Sequence, residues 1–431
     1  MENIKTERYP EYRNSGENWL GEVPANWELT RLGTRFFERR TKVSDKDYTP
    51  LSVTKQGILP QLDSAAKTND GDNRKLVKAG DFVINSRSDR KGSSGISNLD
   101  GSVSLINIVI EPKGINPIFC NYLFKSNGFI EEFYRNGHGI VADLWTTRYD
   151  EMKAIKIAIP SKSEQTRITA FLDQKTTQID QSIAQKERLI ELLKERRQIL
   201  IHNAVTRGLN PNVRMKDSGV EWIGMIPEHW EVMRVKQCSS KISKGTTPST
   251  EGRSILDEGA IRYIKAENIQ DGFITDYPAH FIDEKTNSLI KRSELRENDV
   301  LFVIAGATLG KVAIISRAET PSNTNQAVAF VRPNSNVFPR FLSIWLTSSV
   351  IKELTWLDAV QSAQPNLSME NLGNFPIFLP DFEEQKSIIE YVQKIETKIA
   401  TAIACKQAEI EKLKEYKATL INSAVTGKIK V

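Results

Sequence analysis

Apolar positions recur at helical spacing along two stretches of this chain, and the second stretch copies the first. From about Ser163 to Thr206, Leu172, Ile179, Lys186, Leu193 and Leu200 recur every seven residues, and Thr176, Ile183, Ile190, Arg197 and Ala204 form a second series four positions on. A four-then-three alternation is the seam of a helix that packs along another helix. Between about Glu383 and Thr426 the pattern returns 220 positions later, as Val392, Ile399, Lys406, Leu413 and Leu420 with Glu396, Ile403, Ile410, Lys417 and Ala424. Even the polar interruption is copied, Lys186 by Lys406. Some forty residues of helix span ~60 Å at ~1.5 Å per residue, more than a compact domain uses internally. Neither stretch hides its seam alone. The two are therefore predicted to pair as an antiparallel intramolecular coiled coil, a ruler whose register the matched lysines help to fix. Two unrelated core helices would show the periodicity without the copied interruption.

A second repeat precedes each helix. Ser15-Gly16, Trp19-Leu20-Gly21, Pro24, Trp27-Glu28 and Arg31 reappear 203 positions later as Ser218-Gly219, Trp222-Ile223-Gly224, Pro227, Trp230-Glu231 and Arg234. Gly and Pro mark turns, and paired Trp around such a turn are expected to pack into a small core. The chain thus reads as a globular unit, a helix, a second unit and a second helix. The predicted boundaries are 12–160, 161–210, 211–380 and 381–431.

In the first unit β-branched runs predict strands over Thr49–Val53, Asp81–Asn85 and Val103–Ile110, and a helical segment over Asn116–Arg135. In the second, strands are expected over Ile261–Ala266, Asp299–Ile304, Lys311–Ser316 and Ala327–Arg332, with a helix over Phe338–Leu357. Short strands at Ala154–Pro160 and Asn374–Pro380 close the units. Ser163 is the expected N-cap of the first long helix, and Arg207-Gly208 ends it. The fold class is α/β with mixed α and β elements and a pseudo-two-fold internal repeat.

Composition narrows the setting more than the function. Hydrophobic residues at 39% and charged residues at 26% place the chain among ordinary globular proteins. No apolar run reaches the ~18 residues of a membrane span, and the charged N-terminus has no secretory signal, so a cytoplasmic location is expected. Cys120, Cys238 and Cys405 are too dispersed for a disulfide framework or a zinc site. A net charge of +5 permits a polyanionic partner without demanding one.

Several motifs carry a family likeness. The turn W-I-G-x-I-P-x-x-W at Trp222–Trp230, the E-Q pairs Glu164-Gln165 and Glu384-Gln385, and the A-V-T that ends each helix occur in an order that resembles the specificity subunits of type I restriction–modification systems. Further matches are K-G-T-T-P (Lys244–Pro248), Y-I-K-A-E-N-I (Tyr263–Ile269), T-N-Q (Thr324–Gln326) and Q-P-N-L-S (Gln364–Ser368). The resemblance covers nearly the whole chain. It implies two target recognition domains, each reading one half of a split sequence in double-stranded DNA. It also implies helices that space them and dock two methyltransferase subunits, which restriction subunits can join. S-adenosylmethionine, ATP and Mg would belong to those partners, with no cofactor in this chain.

Candidate contacts follow from side-chain chemistry. Arg and Lys donate to guanine O6 and N7, Asn and Gln pair with adenine, and small residues let a loop approach closely. In the first unit these are Arg87, Arg90 and Lys91 in the loop Asn85–Ser97, and His138, Trp145 and Arg148. In the second they are Lys244, Thr246, Thr247, Lys265, Asn268, Asn325, Gln326 and Gln364. A solvated loop or an internal brace would use the same residue types. Gly306–Val312 is not a phosphate-binding loop: its glycines are one residue too close and Val312 stands where Ser or Thr is required. It is expected to be a glycine turn between strands.

The chain carries no N-P-P-Y or D-P-P-Y motif, no glycine-rich cofactor loop and no metal-ligand spacing. It reads as non-catalytic. The alternatives are a stand-alone DNA-binding scaffold, which would bind tightly without a methyltransferase, and a nuclease, which would cleave DNA with Mg²⁺ alone.

Overall fold

The computed structural model describes residues 7–62, 71–139, 145–220, 223–359 and 365–431. They fall into two compact units, Met1–Glu187 with Gln407–Val431, and Arg188–Lys406. Each long helix is thus divided between the units, because its seam packs into their cores.

In the first unit the run Phe82–Asn85 lies inside a four-stranded antiparallel sheet, ordered Ser94–Ile96, Phe82–Asn85, Asn107–Pro112, Phe36–Glu38. Successive side chains of a strand point to opposite faces. Phe82, Ile84, Ile108 and Ile110 accordingly join a core with Phe119, Phe124 and Phe129, while Val83 and Val109 pack with Leu51, Val77 and Val103 beneath. The second unit repeats the arrangement, with Val312–Ile314, Val300–Val303, Val328–Pro333 and Ser239–Lys244 in the same order. Val300, Phe302 and Val331 face one core, and Leu301, Val303 and Phe330 face the other. Among the described residues, parallel pairing is confined to Ile261–Ile264 beside Ser322–Thr324, apart from an isolated bridge between Pro50 and Ser102.

Three expectations are adjusted. The run Val103–Ile110 breaks at Ser104–Ile106, where Asn107 Nδ2 donates to the Ser104 carbonyl at 3.2 Å. Each single expected helix is two. Pro117–Phe124 is followed by Asn127–Arg135, capped by Ser126, and Pro339–Leu346 by Ser349–Ala359. The N-cap of the first long helix is Ser161 rather than Ser163, since Ser161 Oγ accepts from Glu164 N at 3.3 Å. Asp381 does the same for Glu384 N at 2.8 Å.

The long helices run over Lys162–Arg207 and Phe382–Val425. Within the first unit their pairing is antiparallel: Lys186 Nζ meets Glu409, and Lys417 Nζ meets Asp180 at 2.7 Å, one number rising as the other falls. Leu172, Ile179, Ile410, Leu413 and Leu420 are buried there and Ile183 is half-buried. In the second unit Ile190, Val392 and Ile399 are buried, and Leu193, Leu200 and Ile403 half-buried.

Both E-Q pairs anchor a helix start. Gln165 Oε1 accepts from Asn116 N at 2.8 Å while its Nε2 donates to the Pro160 carbonyl, and Gln385 does likewise with Phe338 N and Pro380. Glu384 accepts from Trp230 Nε1 at 2.9 Å and meets His229 at 2.8 Å, whereas Glu164 accepts from Tyr9 Oη at 2.6 Å. Trp27 and Trp230 are buried in their cores; Trp222 lies outside the described residues.

Candidate nucleic-acid interface

In the second unit the parallel strands place Ile264 opposite Thr324, so Lys265 and Asn325 leave the sheet side by side. Thr324 Oγ1 donates to the Ile264 carbonyl at 2.7 Å and holds that junction. Gly245 N donates to the Val328 carbonyl and Thr246 N to that of Thr324, both at 3.0 Å, laying K-G-T-T along T-N-Q. A Cβ at Gly245 would stand 2.1 Å from the carbonyl oxygens of Thr324 and Asn325, so only glycine allows this approach. Thr247 Oγ1 is bonded to Gln326 Oε1. Tyr263 Oη donates to the Thr246 carbonyl at 2.9 Å, and burial pushes its phenol up to about 12. Lys244, Thr246, Thr247, Lys265, Asn325 and Gln326 thus share one loop cluster.

Asn268 does not join them. It is fully buried; Oδ1 accepts from Lys265 N at 3.0 Å and Nδ2 donates to the Pro278 carbonyl at 2.8 Å. Its amide braces the loop that holds Tyr277 out, 86% exposed. Gln364 lies outside the described residues, while Asn366 pairs with Ala305. Gly306–Val312 forms the end of a hairpin, with Gly310 N donating to the Val303 carbonyl at 2.9 Å. Sequence reasoning passed over Arg292, whose Nε meets Thr246 Oγ1 at 3.3 Å. Nothing in its immediate sequence separates it from other surface cations.

In the first unit Thr146 bridges both Arg87 and His138, with Thr147 N donating to the Ser86 carbonyl at 3.0 Å. Trp145 anchors this segment: its Nε1 donates to the Tyr134 carbonyl at 2.7 Å, and its ring crowds Gly137, where a Cβ would come within 2.6 Å. Arg87 and Arg148 line one cleft of about 540 Å³ together with Arg40, Lys42, Lys75 and Thr146. Within it Glu38 is engaged by Arg40 at 2.6 Å and by Lys75 at 3.1 Å. Lys91 and Arg90 are not in the cleft lining; Lys91 pairs with Glu131 at 2.6 Å, and Arg90 Nε stands 3.6 Å from Asp89. Arg40, Lys42 and Lys75 went unnoticed in the sequence because they gather only when the sheets form.

Among the described residues no group of three or more His, Cys, Asp and Glu could hold a metal ion, and no helix is long and apolar enough to cross a membrane. The arrangement offers two polar loop clusters, each rich in donors, on a repeated frame.

Comparison with known proteins bears on what such clusters meet. A family model described as a type I restriction modification DNA specificity domain matches residues 227–412. The chain is 29% identical to the EcoBI specificity subunit of Escherichia coli over 56% of its own length and about half, 51%, of that relative. It is 26% identical to the MjaVIII specificity subunit of Methanocaldococcus jannaschii over 95% of this chain and 94% of the other. Among solved structures, a chain from work on complex assembly and conformational transition of the type I R-M system superposes with a TM-score of 0.68 at 16% identity, covering 94% of this chain and 98% of that one. The HsdS subunit from Thermoanaerobacter tengcongensis gives 0.55 at 18% identity over the same shares. At these identities the structural likeness is one of fold.

Proposed function

We propose that this chain is a specificity subunit of a type I restriction–modification system, and that its two units each read one half of a split, non-palindromic sequence in double-stranded DNA. The observation that carries this reading is a shared frame with unlike loops. The sheet order, the Gln anchors and the helix caps are duplicated, yet Arg87, His138 and Arg148 stand in one cluster where the other offers Lys244, Thr246, Thr247, Lys265, Asn325 and Gln326. Identical frames with different donors fit two different half-sites.

The chain performs no chemistry in this reading. Two methyltransferase subunits, held in part by the polar faces of the long helices around Glu187, Arg188, Glu191 and Glu195, use S-adenosylmethionine to modify adenine. A restriction subunit, with ATP and Mg, joins them. The length of the helices sets the gap between half-sites: four residues inserted after Leu193 add ~6 Å of helix, and the gap is expected to lengthen by about one or two base pairs.

The test is the methylome of a host expressing this chain with its methyltransferase. Two unlike half-sites at a fixed gap are expected. A palindromic motif, or methylation without sequence preference, would overturn the reading.

A further inference from the structure

Corresponding positions of the two units differ in a way the fold does not require. The bridge between Arg87 and Thr146 in the first unit is matched in the second by the bridge between Ala305 and Asn366. Three residues beyond each bridge a short helix begins, Tyr149–Met152 after Arg148 and Met369–Asn374 after Ser368. Ser368 is a fitting N-cap: its Oγ accepts from Asn371 N at 2.9 Å. Arg148 cannot serve, because a guanidinium has donors only, and it makes no side-chain capping bond. The backbone N–H of Arg148 is met by Glu151 Oε2 at 2.8 Å, and the side chain is left exposed. A cap position given up within a frame that elsewhere accepts serine points to a use outside the fold.

Arg87 makes the same point. Alanine suffices at its counterpart, yet here an exposed arginine lines the cleft that Arg148 also lines. Neither guanidinium has a hydrogen bond or ion pair among the described residues. Of the cleft's carboxylates, Glu38 is held by Arg40 and Lys75 and Asp150 by Lys153 at 2.6 Å, with Arg40 and Arg148 adding only longer-range charge to Asp150. Two uncommitted planar forks at one mouth match the O6 and N7 edge of guanine, which a guanidinium grips with two parallel donors.

We infer, resting on the DNA-reading function proposed above, that Arg87 and Arg148 are specificity-determining residues that read guanine in the half-site recognised by the first unit, while Arg40 and Lys42 at the same cleft meet phosphate.

The test uses the full chain with its methyltransferase partner and a DNA library randomised across both half-sites. Wild type is expected to select at least one G·C pair in the first half-site. R148S, which restores a capping hydroxyl, should unfold at the same temperature or higher. Its affinity for the wild-type site should fall about 5- to 150-fold, the discrimination of one bidentate guanine contact. One G·C position in the first half-site should become degenerate, with the second half-site unchanged. R148K, which keeps charge and a donor for O6 and N7 but not the planar fork, should retain part of the guanine preference at lower affinity; R87A should relax a guanine position as well. The inference is overturned alone if wild type selects a split motif that R148S and R87A leave unaltered. It is also overturned if R148S and R87A weaken binding to every library sequence alike, the mark of a phosphate contact. A wild-type complex that selects no motif overturns the underlying reading instead.

Discussion

In the first unit the hairpin beyond the strand Phe82–Asn85 carries Arg87, Arg90 and Lys91. In the second the corresponding hairpin, Ile304 to Lys311, carries one cation, and that lysine is bonded to Gln270 at 2.6 Å. The polar donors of the second unit have moved to the loops after Ser239–Lys244, Ile261–Ile264 and Ser322–Thr324. Beneath these differences the supporting contacts are copied almost bond for bond. Asp81 and Asp299 each accept from a turn backbone, Lys78 N and Arg296 N, and each holds a guanidinium with two bonds. The guanidinium comes from Arg39 in one unit and Arg332 in the other, so the carboxylate is the retained part. Arg13 Nη2 and Lys216 Nζ likewise donate to the carbonyls of Trp27 and Trp230, at 2.5 and 2.6 Å. A frame stabilised by such contacts leaves its loops free to change without loss of fold.

The strongest test of that separation is to strike the frame. Asp299→Ala leaves the half-buried Arg332 guanidinium without a carboxylate partner and is expected to cost about 3–5 kcal/mol, whereas Asp81→Ala leaves Arg39 a contact with Glu111 at 3.5 Å and should cost less. The Asp299 variant should lie at the upper end because its carboxylate is wholly buried. Denaturant unfolding checks this, and a cost under about 1 kcal/mol in both would mean the copied carboxylates do not hold the frame.

Striking a loop should separate the units. Gly245→Ala forces a Cβ onto two carbonyl oxygens and is expected to cost about 1–3 kcal/mol. The K-G-T-T and T-N-Q loops would part, degrading the second half-site in a methylome while the first remains. Loss of both half-sites together would contradict independent reading surfaces.

A finer contrast lies in the tryptophans. Trp230→Phe removes a bond to Glu384, whereas the buried Nε1 of Trp27 has no partner among the described residues. The Trp230 substitution should therefore destabilise by about 1 kcal/mol more than Trp27→Phe, measured by thermal unfolding of the two variants side by side.

The smallest effect is one of pH. Burial holds His202 below the usual histidine range, Arg207 adding to it, and its Nδ1 lies 3.1 Å from Ser349 Oγ; the corresponding residue in the other long helix is Asn422. A base whose folded pKa is lowered binds fewer protons folded than unfolded, so stability is full above the unfolded value of ~6.5 and declines as pH falls through it. Amides of Ser349–Ala359 should exchange faster at pH 5.5 than at 7.5, after correction for intrinsic rates, and those of Asn127–Arg135 should not. Equal change in both would remove the histidine from the account.

The frame was far more legible in the sequence than the loop clusters. Heptad recurrence and the copied Trp, Gly and Pro positions report on local periodicity and backbone turns, which a sequence records directly. Even so, the helix breaks at Ser126 and Ser348 escaped notice, because each serine caps a second helix within an unbroken apolar pattern. Loop clusters are another matter. Lys265 and Asn325 are neighbours only through a parallel strand pair, and Arg40, Lys42 and Lys75 meet Arg148 only through sheet closure. Asn268 shows the converse: its residue type suggested base contact, but the fold uses both ends of its amide internally.

The backbone bridge between Glu7 and Lys430 carries one more consequence. Counting on from Glu7 by the spacing of the tryptophan turns, or back from Lys430 by the spacing of the helices, arrives at the same place, Asn210. What hydrogen bonding holds in the first unit, an unbroken peptide segment accomplishes in the second. Glu7 and Lys430 are thus brought together in the first unit where the second has one continuous segment around Asn210. Joined across that bridge by a short connector and reopened just after Gly208, a circularly permuted chain would preserve every duplicated contact, with its two halves exchanged in reading order.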